Sequence, residues 1–472
     1  MTLIRARDFV LRRESLIAVV VAAAYFVVYA ALSIQRHQTY HSGGFDLGLF
    51  DQVFWNTTHG RPFESTMSLS LPVPHSLLGD HFSPALLLLV PFYIALPHPE
   101  TLLVIQTLAL TLGAWPVYLL ARLKLPPGYA LLWVAVYFLC VPLAYINLDD
   151  FHEVALSVAP LGFALYFLER GRTRLFLLSL LLTLLVKEEM ALVGAGFGLY
   201  ALLSKRDWKL GLGVMVGSLL TFAAVIQVVI PSFAGGLAYP YFAERYRDVG
   251  GSPSGILTTL LTDPLRIVRT VLQTGKVYFV VGVFGSTLGL SAVAGWASLL
   301  VLPTLGYLLL SNYPPFYSFT SQYSAPLIPL VVGTAILGLA RLPAPARRVL
   351  MSGVVASSLL FSWAYGDMPY SRKFDAHQLV AEPRYALFVR ELVRIAPDAR
   401  VSAETGLTSH LDQRRYMYDY HFEGVHDAEW VVLDYQATSY DITAFQVEVA
   451  SVEAAGYDQV AGGYGLALLH KR

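Results

Sequence analysis

Charge is what this sequence has least of. Charged residues make up 14% of its 472 positions, against about 25% in a soluble globular chain. The formal net charge is zero, which argues against a nucleic-acid partner. Cys140 is the only cysteine, so an intrachain disulfide is excluded. There is no phosphate-binding glycine loop, no G-x-S-x-G nucleophile elbow and no H-E-x-x-H zinc pair, which removes the familiar soluble-enzyme classes. No internal repeat or low-complexity segment stands out.

In place of charge there are long apolar runs. Hydrophobic residues make up 56% of the chain, and the mean hydropathy is +0.55. Runs of this length span a bilayer, so the chain reads as a multi-pass protein of the inner or plasma membrane. The first run, Leu16 to Ile34, follows Arg5, Arg7, Arg12 and Arg13 and lacks a small-residue cleavage site. It reads as a retained helix rather than a signal peptide.

The basic clusters set the orientation. They are the N-terminal arginines, Arg122 with Lys124, Arg170/Arg172/Arg174, Lys205/Arg206/Lys209 and Arg341/Arg347/Arg348. With all of these in the cytoplasm, the expected spans are 15–34, 100–121, 128–146, 154–169, 175–187, 190–204, 210–230, 276–291, 294–311, 326–340 and 349–365. That is about 11 spans, with the N-terminus cytoplasmic and the C-terminus extracytoplasmic. The run Pro84 to Pro97 is short and interrupted by Pro91, and reads as a re-entrant or interfacial helix on the outer face. The expected fold class is mainly α, a transmembrane helix bundle over 1–365 with long outer loops at 35–83 and 231–275. A small extracytoplasmic α/β domain follows over 366–472. In it Tyr385 to Ile395 has helical periodicity, and Arg400–Ala403 and Glu429–Asp434 read as strands.

The run from Leu175 to Leu203 contains three consecutive charges, Lys187, Glu188 and Glu189. Charge at bilayer depth costs several kcal/mol and marks functional positions. Both flanks of the run are basic, so both ends are cytoplasmic. Two short helices satisfy that parity, and the turn between them, at the outer surface, is the triplet. A lysine at such a break suits a phosphate anion; the bland alternatives are a salt-bridged turn or a snorkelling lysine.

Three further polar groups fall on the outer side. Asp46, in FDLGLFDQ, opens a short amphipathic helix as an N-cap, a catalytic group or both. Asp149, Asp150, His152 and Glu153 follow another span. On a helix Asp149, His152 and Glu153 share a face and can ligate a divalent metal such as Mg or Mn; the alternative is a capped helix start. Asp80 and His81 precede the interfacial helix, either facing the same cavity or forming a polar turn ahead of Pro84. Arg245, Gln322 and Tyr323, with Tyr313 and Tyr317, can add phosphate or sugar contacts, or act as interfacial anchors.

The segments FDLGLFDQVFW, LLGDHFSP, DDFHE, LLVKEE and QYSAPLIP, in this order, resemble the domain-of-unknown-function family 2079 of bacterial membrane proteins over nearly the whole chain. More distantly, the layout is similar to GT-C glycosyltransferases of the protein mannosyltransferase and aminoarabinose transferase type. That resemblance implies transfer of a sugar from a polyprenyl-phosphate carrier to a glycan, lipid or protein acceptor at the outer face. It implies Asp46 as the acidic residue of the first outer loop, Asp149, Asp150 and Glu153 as a second acidic motif, and Lys187 as a contact to lipid phosphate. The glycine that follows this lysine in the family is replaced here by Glu188. Rival expectations from other classes are a transporter or flippase of a lipid-linked precursor, and a non-catalytic membrane scaffold.

Overall fold

A computed structural model describes residues 13–438 and 441–472, apart from Leu69 and Pro240. Arg5, Arg7 and Arg12 lie outside the described residues. The chain is mainly helical. Five helices are long and apolar enough to cross a membrane: Glu14–Gln38, Pro99–Lys124, Trp208–Phe233, Gln322–Ala340 and Ala344–Tyr365. Counting each of two bent pairs as one span, Tyr129–Phe138 with Val141–Leu148 and Pro264–Val271 with Thr274–Gly285, gives seven. Thr173–Leu184, Met190–Lys205 and Gly295–Leu310 are apolar but shorter. Each expected span thus coincides with a helical segment, but several are too short to cross alone.

Prolines explain two of the irregularities. Cys140 is extended and the next helix, Val141–Leu148, carries Pro142 in its first turn, where the missing N–H costs no helical hydrogen bond. Pro84–Leu88 forms a 3-10 turn and Val90–Ala95 a single short helix. Leu87, Leu88, Phe92, Ile94 and Leu96 are exposed there while Tyr93 is fully buried, the pattern of an interfacial element.

At one end of the bundle three basic segments converge. Lys124 and Lys205 sit 2.5 and 2.6 Å from the two carboxylate oxygens of Glu169, and the Tyr200 hydroxyl donates to the same group. The long loops gather elsewhere, with the C-terminal sheet. That sheet contains β3 (Val401–Ala403), β4 (Met417–Asp419), β5 (Trp430–Asp434), β6 (Tyr457–Gly463) and β7 (Leu466–Lys471), in the order β4-β3-β5-β7-β6. The first loop holds a separate two-stranded ladder, β1 (Glu64–Ser65) with β2 (His75–Ser76). β3 runs parallel to β4 and β5, whereas β7 is antiparallel to β5 and β6.

Alternation along the strands divides the sheet's two faces. Val431, Leu433, Ala467 and Leu469 pack with Phe445 and Val452 of the helix Ile442–Ala454. Val432, Leu466 and Leu468 instead join Leu47, Phe50, Phe54, Tyr93 and Phe151. The sheet and the first loop therefore share one core. A column of stacked rings adds to this contact: Tyr385 on Tyr40 at 4.1 Å, Tyr40 on His410 at 4.2 Å, and His410 on His37 at 4.3 Å.

Candidate functional site

Asp46 lies inside a one-turn π-helix, Gly44–Gly48. It is not a cap: Gly43 holds that position, and the Asp46 carboxylate turns to His152, with Nε2 2.9 Å from Oδ1. The glycines around Asp46 answer to packing. A Cβ on Gly44 would collide with the Asp419 carboxylate and Thr408, and one on Gly48 would press on Thr408 and Asp412.

His152 is buried and its backbone N–H donates to Gln106 Oε1 at 2.7 Å. Burial alone would lower the imidazole pKa, but the carboxylates of Asp46, Asp149 and Glu153 override it and push it up to about 9. Burial would likewise raise Asp46, yet His152 holds it below its ordinary value. The two form an imidazolium–carboxylate pair over the neutral range. The Asp46 side chain remains 43% exposed, so the pair is open to a ligand on the carboxylate side.

The expected helical face of Asp149, His152 and Glu153 does not form. Asp150 adopts a left-handed backbone with φ 57°, which ends the preceding helix, and a 3-10 turn starts only at Glu153. The side chains then diverge. Asp150 accepts from Arg36 at 2.7 Å and from the Gly43 N–H at 2.6 Å. Glu153 pairs with Lys187 at 2.6 Å. Among the described residues no group of three or more His, Cys, Asp or Glu side chains is arranged to hold a metal ion. The divalent-metal set expected of Asp149, Asp150, His152 and Glu153 is therefore not brought together: Asp150 turns to Arg36, Glu153 to Lys187 and His152 to Asp46. Asp149 stands apart, half-buried, with its pKa raised to about 6 by burial and by the neighbouring Asp46 and Asp150 carboxylates, against the opposing pull of His152.

The triplet lies where helix is interrupted, between Thr173–Leu184 and Met190–Tyr200. Lys187 is buried and lies over the Tyr323 ring at 5.7 Å. Glu188 accepts from His81 Nδ1 at 3.0 Å, the Phe82 N–H at 3.0 Å and the Tyr239 hydroxyl at 2.8 Å. Asp80 accepts from the Tyr241 hydroxyl. Arg245 is surrounded by rings, with Tyr241, Tyr313 and Phe316 at 3.9, 4.8 and 5.0 Å. Among the described residues no carboxylate pairs with it.

These groups meet at a cavity of about 250 Å³. Its polar end holds His81, Lys187, Glu188, Glu189, Arg245 and Tyr323, and its apolar wall includes Leu192, Phe222, Ile226 and Ile256. Asp46, Asp150 and His152 do not line it, nor does Gln322. Tyr323 connects the two regions, lying within electrostatic range of Asp46, Lys187 and Arg245. Sequence reasoning overlooked Arg36, Tyr239 and Tyr241. Arg36 carried a signal, since it sits at the end of the first span opposite the basic cluster.

A family model described as predicted membrane protein, DUF2079, matches residues 36–468. The chain belongs to this family. No curated protein sequence matches the DUF2079 chain. Among solved structures it is similar to ArnT from Cupriavidus metallidurans bound to undecaprenyl phosphate, at 14% identity and a TM-score of 0.58 over 96% of this chain and 97% of that one. The apo state of the same protein gives 14% and 0.57, over the same shares of both chains. The mycobacterial arabinofuranosyltransferase AftD is similar at 15% and 0.47, over 95% of this chain and 40% of its own. This DUF2079 protein has a GT-C-like fold, a membrane helix bundle with a small C-terminal sheet.

Proposed function

We propose that this protein transfers a sugar from a polyprenyl-phosphate carrier to an acceptor on the extracytoplasmic side of the membrane. The observation that carries the reading is Arg245: a half-buried guanidinium at the polar end of an apolar cavity, without a carboxylate partner among the described residues. A phosphate monoester or diester on an isoprenoid chain has the matching chemistry, with an anionic head for the guanidinium and an apolar tail for Phe222, Ile226 and Ile256. The neighbours' similarity supports the fold, and ArnT's bound undecaprenyl phosphate supports the choice of carrier. The bundle is placed with its basic Lys124–Glu169–Lys205 end in the cytoplasm.

In the reaction, the acceptor hydroxyl attacks the anomeric carbon and the bond from that carbon to the phosphate oxygen breaks. The hydroxyl proton passes to the Asp46 carboxylate, and the electron pair leaves on phosphate, whose growing charge Arg245 offsets. His152 orients Asp46 and keeps it ionised. Asp80, His81 and Glu188 hold Tyr239 and Tyr241 against the cavity. Lys187, paired to Glu153, helps to shape the polar end beside Tyr323.

The test uses the purified full chain, a labelled polyprenyl-phosphate sugar and a panel of acceptors. Asp46→Asn is expected to keep carrier binding and lose transfer by at least ~100-fold, as for a lost general base. Arg245→Ala is expected to weaken carrier binding ~10-fold or more, the loss of one charge-assisted contact. Full transfer in Asp46→Asn refutes the base assignment. Carrier moved across vesicles without sugar transfer refutes the enzyme reading in favour of transport.

A further inference from the structure

Asp51 and Asp412 are fully buried, at 0% and 1% exposure, and within hydrogen-bonding reach of each other. Asp51 lies on the helix Leu49–Thr58 that continues from the Asp46 turn. Asp412 lies between β3 and β4. Among the described residues no cation forms an ion pair with either. Arg414, whose charge acts on Asp412, spends its guanidinium on the carbonyls of Leu411, Ala396 and Ala399. Tyr93 donates to Asp51 Oδ1 at 2.6 Å and receives from Gln413 at 3.3 Å. Oδ2 of each aspartate has no donor among the described residues. The other titratable groups facing the pair are Glu100, a further negative charge, and His37, His98 and His410 across a polar cleft beside Asp412.

Two carboxyl groups buried in contact without a cation cannot both ionise. We propose that Asp51 and Asp412 share one proton, and that this proton clasps the C-terminal sheet to the loop that carries Asp46. Asp412 Oδ2 lies against Gly48, the last residue of the Asp46 turn. Its surroundings reinforce the clasp. Gln52, next to Asp51, donates to the Arg415 carbonyl at 3.1 Å, and Thr66 bonds both the carbonyl and the N–H of Met417. Asp51 and Asp412 are positioning residues; the link to Asp46 rests on the function proposed above, but the shared proton does not.

The sign of the pH effect follows. The folded pair holds a proton that the unfolded chain releases near pH 4. The pair's contribution to stability is therefore fully present at low pH and is lost as pH rises from about 4 through the pair's raised upper pKa. Burial pushes both groups up. A carboxamide in place of one carboxyl supplies a fixed donor and removes the dependence.

The experiment is thermal melting of the full chain in detergent between pH 5 and pH 9, for wild type, Asp412→Asn and Asp51→Asn. Every other titrating group is common to all three, so the difference in Tm isolates the pair. That difference is expected to move in favour of the carboxamide variants as pH rises, by several degrees between the extremes. A difference that stays constant with pH overturns the proposal. If one variant fails to accumulate, the other carries the same test from the opposite side of the pair. Melting is read without substrate, so this outcome is independent of whether Asp46→Asn loses transfer.

Discussion

Lys187 and Glu188 show how far a single residue's surroundings can redirect its role. By resemblance the lysine is a phosphate contact, and the two glutamates beside it make that role hard to understand. The structure gives two of the three charges partners, Lys187 to Glu153 and Glu188 to His81, Tyr239 and the Phe82 N–H, while Glu189 lines the cavity. Of Lys187 and Arg245, which both line the cavity, Arg245 is the one without a carboxylate partner among the described residues. Removing one member of a buried pair leaves the other unpaired, at a cost of about 3–5 kcal/mol. Lys187→Met should therefore lower the melting temperature markedly while leaving the carrier affinity of the surviving folded protein within about threefold. Glu153→Gln added to it should restore most of the lost stability. A carrier-binding loss equal to that of Arg245→Ala would return Lys187 to the phosphate.

Among the elements, the turn Gly44–Gly48 has little room to move. It is pressed between the Asp150 side, where Gly43 donates to the carboxylate, and the sheet side, where Thr408, Asp412 and Asp419 meet its glycines. Gly44→Ala adds one methyl against Asp419 and Thr408, an overpacking that costs about 1–3 kcal/mol. The expected result is a lower melting temperature and a disproportionate fall in transfer, because the displaced element bears Asp46. An unchanged kcat in a well-folded Gly44→Ala protein would show that the turn tolerates movement. Much at this scale was legible in advance. The apolar runs marked the helices, the basic flanks marked the break at Lys187, and EWVVLD marked β5. The left-handed Asp150 was not legible, because nothing in DDFHE distinguishes a helix start from a reversed backbone. Without that residue's conformation the metal-ligand spacing looked sound. The pairing of Arg36 with Asp150 was equally hidden, since it joins residues 114 positions apart.

For the molecule as a whole, the C-terminal sheet is no loose appendage. One of its faces is covered in part by the first loop, with Leu47, Phe50 and Phe54 in one core with Val432 and Leu468, beside Tyr385 and Phe388 of the helix Pro383–Leu392. Cutting the chain after Tyr365 would expose that core and strand Asp51 and Gln52 without their partners. The truncated protein is expected to aggregate or be degraded, judged by size-exclusion chromatography after extraction. Recovery of a monodisperse, carrier-binding bundle would show that the loop can hold itself. β3 and β5 were readable from their composition, β4, β6 and β7 were not, and neither was the face the first loop would cover, because alternation fixes the faces of a strand and says nothing of the neighbour each face finds.

The separation along the chain of the two parts that meet there bears on how the protein is made. Gln52 and Arg414 touch across 362 residues, and at about 5–20 residues per second the ribosome needs roughly 20 to 70 s to travel between them. During that interval the loop bearing Asp46 lacks the sheet it packs against. On the proposed function, the site is finished by a late-made part of the chain, so an incomplete nascent protein can sit in the bilayer before its carrier site is complete.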